Sequence, residues 1–233
     1  ADTSVTGISL PMQAMDIGVS GDPLEPGLTF AHSASDFDVV AGGSDIFGAR
    51  DAFHFTFEPR SGDFDVQAQV TRLDYRHNSS KAGLMARENL TPASRNVMAV
   101  VYPATGANKF DLHYRPTEGG STYDPPELPN GAPGVPMPNL WMRLKRQGEF
   151  FTAYRSFDGL SWTQIAQVRQ SYPETVYVGL ATTSHNNNPG QTTLASYRNY
   201  RVTATALPTA ALSVVDGWAS EFGSDTGAFK VML

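Results

Sequence analysis

Residues 140–168, LWMRLKRQGEFFTAYRSFDGLSWTQIAQV, constrain the fold more than any other stretch of the chain. Apolar and polar residues alternate through three short runs. Gln147-Gly148 separates the first two runs, and Asp158-Gly159 separates the second and third. Glycine at such a turn takes the positive φ that lets the turn twist match the strand twist, so Asp-Gly between alternating runs signals a tight hairpin. In the first run Leu140, Met142 and Leu144 fall on one side, with Trp141, Arg143 and Lys145 on the other. A period of two with one oily and one polar face belongs to an antiparallel sheet packed on one side. The expected unit is a three-stranded meander in a β-protein whose function lies on polar faces or loops.

Composition narrows the function classes. A chain of 233 residues can bury roughly 70 % of its unfolded surface and needs no covalent staple. It has no cysteine, which excludes thiolate metal sites, cysteine nucleophiles and disulfide scaffolds. A net charge of −6 argues against nucleic acid as a partner, because phosphate binding needs a basic surface. No apolar run approaches the roughly 20 residues of a membrane-spanning helix. No basic segment leads into an apolar one near residue 1, so the expectation is a signal peptide absent or already removed.

Along the chain, residues 1–26 hold few apolar side chains and several breakers, and read as an irregular lead-in. Residues 37–41 form a strand signal closed by Gly42-Gly43. Residues 52–58 alternate, with Phe53, Phe55 and Phe57 expected to face a core and His54 and Thr56 to face outward. Further strands are expected over 63–73, 81–88, 95–102, 108–115, 175–184 and 192–204. Residues 116–139, crowded with proline and glycine, read as a long loop, and long irregular loops inside compact domains are often functional. About eleven short strands without an amphipathic helix predict an all-β sandwich of two antiparallel sheets over 27–206. Leu207-Pro208 marks a boundary, leaving 207–233 as a linker with two short apolar runs that form a partial unit or a pairing strand.

Nine strings then point to a family. They are Asp16-Ile17-Gly18, Gly43-Ser44-Asp45-Ile46-Phe47-Gly48, Asp51-Ala52-Phe53-His54-Phe55, Gly62-Asp63-Phe64-Asp65-Val66 and Lys81-Ala82-Gly83-Leu84-Met85-Ala86-Arg87-Glu88. They continue with Trp141-Met142-Arg143-Leu144, Tyr154-Arg155-Ser156-Phe157-Asp158-Gly159, Val178-Gly179-Leu180-Ala181 and Ser184-His185-Asn186. Together they resemble the concanavalin A-like lectin/glucanase modules of unassigned function found in large secreted bacterial proteins, over about residues 12–204. The resemblance implies a jelly-roll β-sandwich, an extracellular or cell-surface location, and no particular activity. The tail from Asp216 to Val231 is similar to the opening of Calx-β-like repeats, which implies a longer, modular parent chain. An unpaired strand at 228–233 would invite pairing with a neighbouring chain, so a homo-oligomer or fibre through 209–233 is a further expectation.

Candidate chemistry is sparse. Asp63 and Asp65 share a strand face, but the Glu-x-Asp-x-x-Glu strand of related glucanases is absent, so a glycoside hydrolase or lyase would need an unfamiliar site. Ser156-Phe-Asp158-Gly159-Leu-Ser-Trp162 resembles the Asp-box of sialidases, one residue short, and reads as a hairpin brace. Asp45 and Asp51, near Gly-rich turns with Asp36 and Asp38, are calcium candidates, with Asx-turn capping as the rival reading. The five histidines lack zinc spacing, and no serine elbow or phosphate loop is present.

What remains is a surface. Alternation puts His54, Thr56, Met85, Arg87, His113, Arg115, Trp141, Arg143 and Lys145 on the non-core side of their strands. An indole suits the apolar face of a sugar, and cationic donors suit its hydroxyls or acidic groups. The expected function is a non-catalytic accessory module that binds a glycan or another surface polymer. Trp141 would be the stacking platform, with Arg143, Arg87, His54 and His113 as polar contacts. The competing readings are an ordinary hydrated face with Trp141 covered by the Pro-rich loop, and an adhesive subunit joined through its tail.

Overall fold

A computed structural model describes residues 12–104, 107–128, 131–204, 211–216 and 228–232. The strands in the first half are β1 (Gln13–Ile17), β2 (Leu28–Ala31), β3 (Phe37–Ala41), β4 (Asp45–Phe47), β5 (Arg50–Ser61), β6 (Phe64–Leu73), β7 (Lys81–Arg87) and β8 (Asn96–Ala104). There follow β9 (Ala107–Arg115), β10 (Ala132–Pro133), β11 (Leu140–Gln147), β12 (Phe150–Ser156), β13 (Thr163–Arg169), β14 (Thr175–Thr183) and β15 (Thr193–Ala204). The last two are β16 (Ala211–Asp216) and β17 (Ala228–Met232). Among the described residues there is no helix.

Two antiparallel sheets make the body. One runs β1-β5-β14-β7-β8-β9-β10 with β4 also on β5, eight strands in all, and the other runs β13-β12-β11-β6-β15-β3-β2. The expected meander is β11-β12-β13, and Gly148 and Gly159 take φ of 57° and 73° at its turns. Leu140, Met142 and Leu144 point inward against Leu84, Val97, Ala99, Leu112, Val178 and Leu180 of the facing sheet, in one apolar core shared by both sheets. Burying such side chains gives roughly 1.5–3 kcal/mol each and holds the layers together.

The lead-in expectation is corrected over 13–17, and residues 1–11 lie outside the described residues. Residues 13–17 form a regular edge strand, with Gln13 opposite Phe57 and Ile17 opposite Phe53. The sequence hid it because its polar residues sit exposed on an edge. The tail pairs β16 with β17 in a two-stranded sheet and joins neither large sheet. The Leu207-Pro208 boundary and most of the Calx-β-like string lie outside the described residues.

The eight-stranded sheet is buried on both sides, which corrects the face assignment of β5. Phe53, Phe55 and Phe57 turn away from the sandwich interior and pack with Ile17, Ile46, Met85, Met98, Val100 and Ala181 in a second apolar cluster on the outer side. Neighbouring ring centroids there lie 5.6 and 4.9 Å apart. His54 and Thr56 therefore face the other sheet, where Thr29 of β2 hydrogen-bonds both, at 3.0 and 2.5 Å. Alternation separates two faces, but it cannot say which one is roofed when both are buried.

Candidate functional site

The residues expected to line one surface are distributed over three places. Trp141, Arg143 and Lys145 lie on the outer face of the seven-stranded sheet. Arg87 and His113 lie on the outer face of the eight-stranded sheet, on the opposite side of the molecule. His54 lies between the sheets.

Arg87 and His54 are corrections in the full sense, because neither reaches solvent as a ligand contact would require. Arg87 is fully buried beside Asp51 and Arg115, also fully buried. Arg115 donates to both Asp51 oxygens, at 2.5 and 2.8 Å, Arg87 Nη1 adds a longer contact of 3.4 Å, and Asn96 donates to the same carboxylate. The Arg87 guanidinium also sits over the Phe53 ring at 5.1 Å. Burial lowers Arg87 to about 10, so it stays charged at neutral pH, and the same burial raises the Asp51 carboxyl. Asp51 has no free oxygen for calcium. Asp45 gives an oxygen to the Lys81 ammonium and meets His185 Nδ1 at 3.1 Å. Burial pushes Asp45 up, but the His185 hydrogen bond and the Lys81 charge outweigh that and hold it at about 2. Both expected calcium ligands are thus committed to protein cations. His54 Nδ1 is 2.7 Å from Asp16, which also accepts the Gly27 N–H at 3.1 Å and ties β1 to the chain before β2.

Trp141 stands at the edge of a hollow of about 330 Å³, whose lining includes Gln67, Asp158, Leu160, Asn199 and Arg201. The indole is half-buried. The lid over one of its faces is Gly159 of the β12–β13 turn, where a Cβ would come within 2.9 Å of the ring. The Asp-box-like hydrogen bonds form as expected. Ser156 Oγ accepts from Gly159 N–H at 2.9 Å and donates to Asp158 Oδ1 at 2.8 Å, while Leu160 and Ser161 N–H groups donate to the same oxygen at 2.8 Å. These hold the Asp158 carboxyl down at about 2, the Ser161 and Leu160 backbone donors leading. The brace presents Phe157 and Leu160 to solvent, 63 and 85 % exposed.

The opposite wall is a bulge that sequence reasoning missed. In β15, Asn199 and Tyr200 together face the single residue Ala68, between Arg198, opposite Gln69, and Arg201, opposite Gln67. Asn199 adopts φ 55°, a left-handed conformation that asparagine tolerates better than most residues. Bulges re-aim side chains and are common beside functional sites. Asn199 Nδ2 donates to Gln69 Oε1 at 3.2 Å, and its N–H donates to Asp36 at 3.0 Å. The cue in the sequence, Arg198-Asn199-Tyr200-Arg201 interrupting alternation, is visible only once the register is known. Among the described residues Arg201 forms no ion pair and is exposed. Arg143 is spent otherwise: it pairs with Asp65 and lies over Tyr154 and Trp162, at 5.2 and 5.5 Å. Asp65 is thereby removed from the carboxylate pair considered for hydrolysis, and Asp63 braces the Gly148 N–H at 2.7 Å.

On the far face, His113 has Nε2 3.2 Å from Asp124 Oδ1 and 3.8 Å from Asp111 Oδ2. His113 and Asp124 border a second hollow of about 220 Å³ that also touches Asp45, Lys81 and Tyr102, and Tyr102 reaches Asp111.

No protein-family model matches the chain, and no curated protein matches it in sequence. Solved structures do match in fold. A functionally unknown protein from Saccharomyces cerevisiae superimposes with a TM-score of 0.61 at 15 % identity, over 77 % of this chain and 92 % of that one. Alginate lyase A1-II', a member of polysaccharide lyase family 7, gives 0.51 at 11 % identity, over 77 and 84 %. Carbohydrate-binding module CBM66 from Bacillus subtilis gives 0.49 at 15 %, over 76 and 95 %. This chain has the concanavalin A-like jelly-roll fold. At such identities the likeness is one of architecture.

Proposed function

We propose that the chain is a non-catalytic, extracellular or cell-surface module that binds a glycan or related surface polymer in the hollow beside Trp141. The observation that carries this reading is the makeup of that hollow. A half-buried indole on β11 and an exposed leucine stand beside two amides, a guanidinium without an ion pair and a carboxylate, held by β6, a braced turn and a bulge. Amides and guanidinium give directed hydrogen bonds to hydroxyls, and the apolar groups meet the carbon face of a pyranose. Open clefts of this size with a few convergent polar groups are the usual form of ligand sites. The fold shared with an alginate lyase adds the polysaccharide class to the candidates. Arg201 favours a polymer that carries carboxylates, since a charge-assisted hydrogen bond is about twice as strong as a neutral one.

The test is a glycan array probed with the unaltered chain, followed by titration of the best hit against Trp141→Ala and Arg201→Ala. Both variants are expected to weaken binding by at least tenfold while circular dichroism stays unchanged. Binding that is unaffected by both, or no glycan bound at all, overturns the reading.

A further inference from the structure

We propose that Asp111, His113 and Asp124 form a binding site for a divalent transition-metal ion of the zinc class on the outer face of the eight-stranded sheet. The site is independent of the Trp141 hollow, which lies across the sandwich.

The topology builds it from two segments. Asp111 and His113 are two apart on β9, so both point outward, opposite Val100 and Met98 of β8. Asp124 comes from the long loop after β9. Paired backbone hydrogen bonds between Tyr114 and Tyr123, at 3.0 and 2.9 Å, set it beside them. One donor atom from each residue lies within 4.8 Å of the others, and among the described residues this is the acid–histidine group that converges in this way. A tetrahedral ion with bonds of about 2.0–2.2 Å keeps its ligands roughly 3.3–3.6 Å apart. The observed 3.2 and 3.8 Å separations from His113 Nε2 bracket that range.

One further observation points to a missing partner. The buried Asp124 Oδ1, which faces Nε2 of the 5 % exposed His113, has no hydrogen bond. Buried polar atoms are rarely left this way. With Nδ1 carrying the proton, the Nε2 lone pair points at two carboxylates, an arrangement that a cation between them makes favourable. Lys81 borders the same hollow but gives its ammonium to Asp45. One imidazole with two carboxylates suits zinc or its neighbours better than calcium, which takes six to eight oxygens. Three protein ligands leave a fourth position open toward the hollow, where solvent or a ligand oxygen can complete the shell.

The experiment is isothermal titration of the metal-free full chain with Zn²⁺, with Ca²⁺ as comparison and Co²⁺ absorbance as a second readout. One Zn²⁺ per chain is expected, with a rise in Tm and cobalt ligand-field bands. Asp124→Asn and His113→Gln should each weaken uptake at least tenfold, whereas His185→Ala, in the neighbouring His77–His185 stack, should leave it unchanged. If the first two variants fold poorly, the unaltered chain still decides. A His113 imidazole signal that does not move in NMR on Zn²⁺ addition overturns the site. So does the absence of saturable uptake, or uptake lost in His185→Ala instead.

Discussion

The two outer faces of the sandwich carry similar residue types and use them in opposite ways. On the seven-stranded sheet, Trp141 and Arg201 stay in reach of solvent around an open hollow. On the eight-stranded sheet, Arg87 and Arg115 are sealed around Asp51, beside a ladder of three phenylalanines. Both faces put arginines and aromatics at alternate positions of a strand, so the pattern alone does not distinguish a recognition surface from a roofed interior. What separates them is the covering. β4 and the chain around Pro92, whose carbonyl accepts the Asp51 N–H, close over one face, while a hairpin turn seats on the indole of the other.

The sharpest way to break this contrast is to remove one carboxylate from each face. Asp51→Asn would leave two buried guanidiniums without their counter-charge and should cost about 3–5 kcal/mol in chemical denaturation. Asp65→Asn, which frees a partly exposed Arg143, should cost about 1 kcal/mol or less. Equal losses would show that the roofed face is no drier than the open one. Next in size is Gly159→Ala. A side chain there must adopt φ 73° and press on the indole, so about 1–3 kcal/mol of stability is expected to go, along with a change in Trp fluorescence. An unchanged spectrum would mean that the turn does not seat on Trp141. The smallest effect concerns acid. Asp158 titrates near 3.8 when unfolded and about 2 in the folded turn, so its contribution is whole above pH 4 and lost as pH falls to 2. Asp158→Asn should flatten the acid limb of a Trp fluorescence titration between those values. An unchanged limb would place the transition elsewhere.

The meander was legible because β11 buries one side fully and the other only partly, so Leu140, Met142 and Leu144 could be read as inward without knowing the fold. The same rule inverted β5, where Phe53 and His54 are both buried and only the covering strands decide which face is which. It missed β1, an edge strand whose Gln13 and Asp16 look like loop residues. Of the candidate site, Trp141 was legible as an outward indole on a polar strand. Its neighbours Asn199 and Arg201 were not, because they reach it through a bulge at a register shift. The triad at His113 escaped for a similar reason: Asp111-x-His113 is a short string, and Asp124 joins it only through the pairing of Tyr114 with Tyr123.

The seat of Gly159 against the indole limits how this face can evolve. That backbone is pressed to within contact of the ring, so residue 159 cannot grow a side chain and Trp141 cannot tilt. Variation is left to the rim, where Phe157, Leu160 and Arg201 reach water and can be exchanged without disturbing the ring below. A lineage of such chains would keep one immobile plate and vary the border around it.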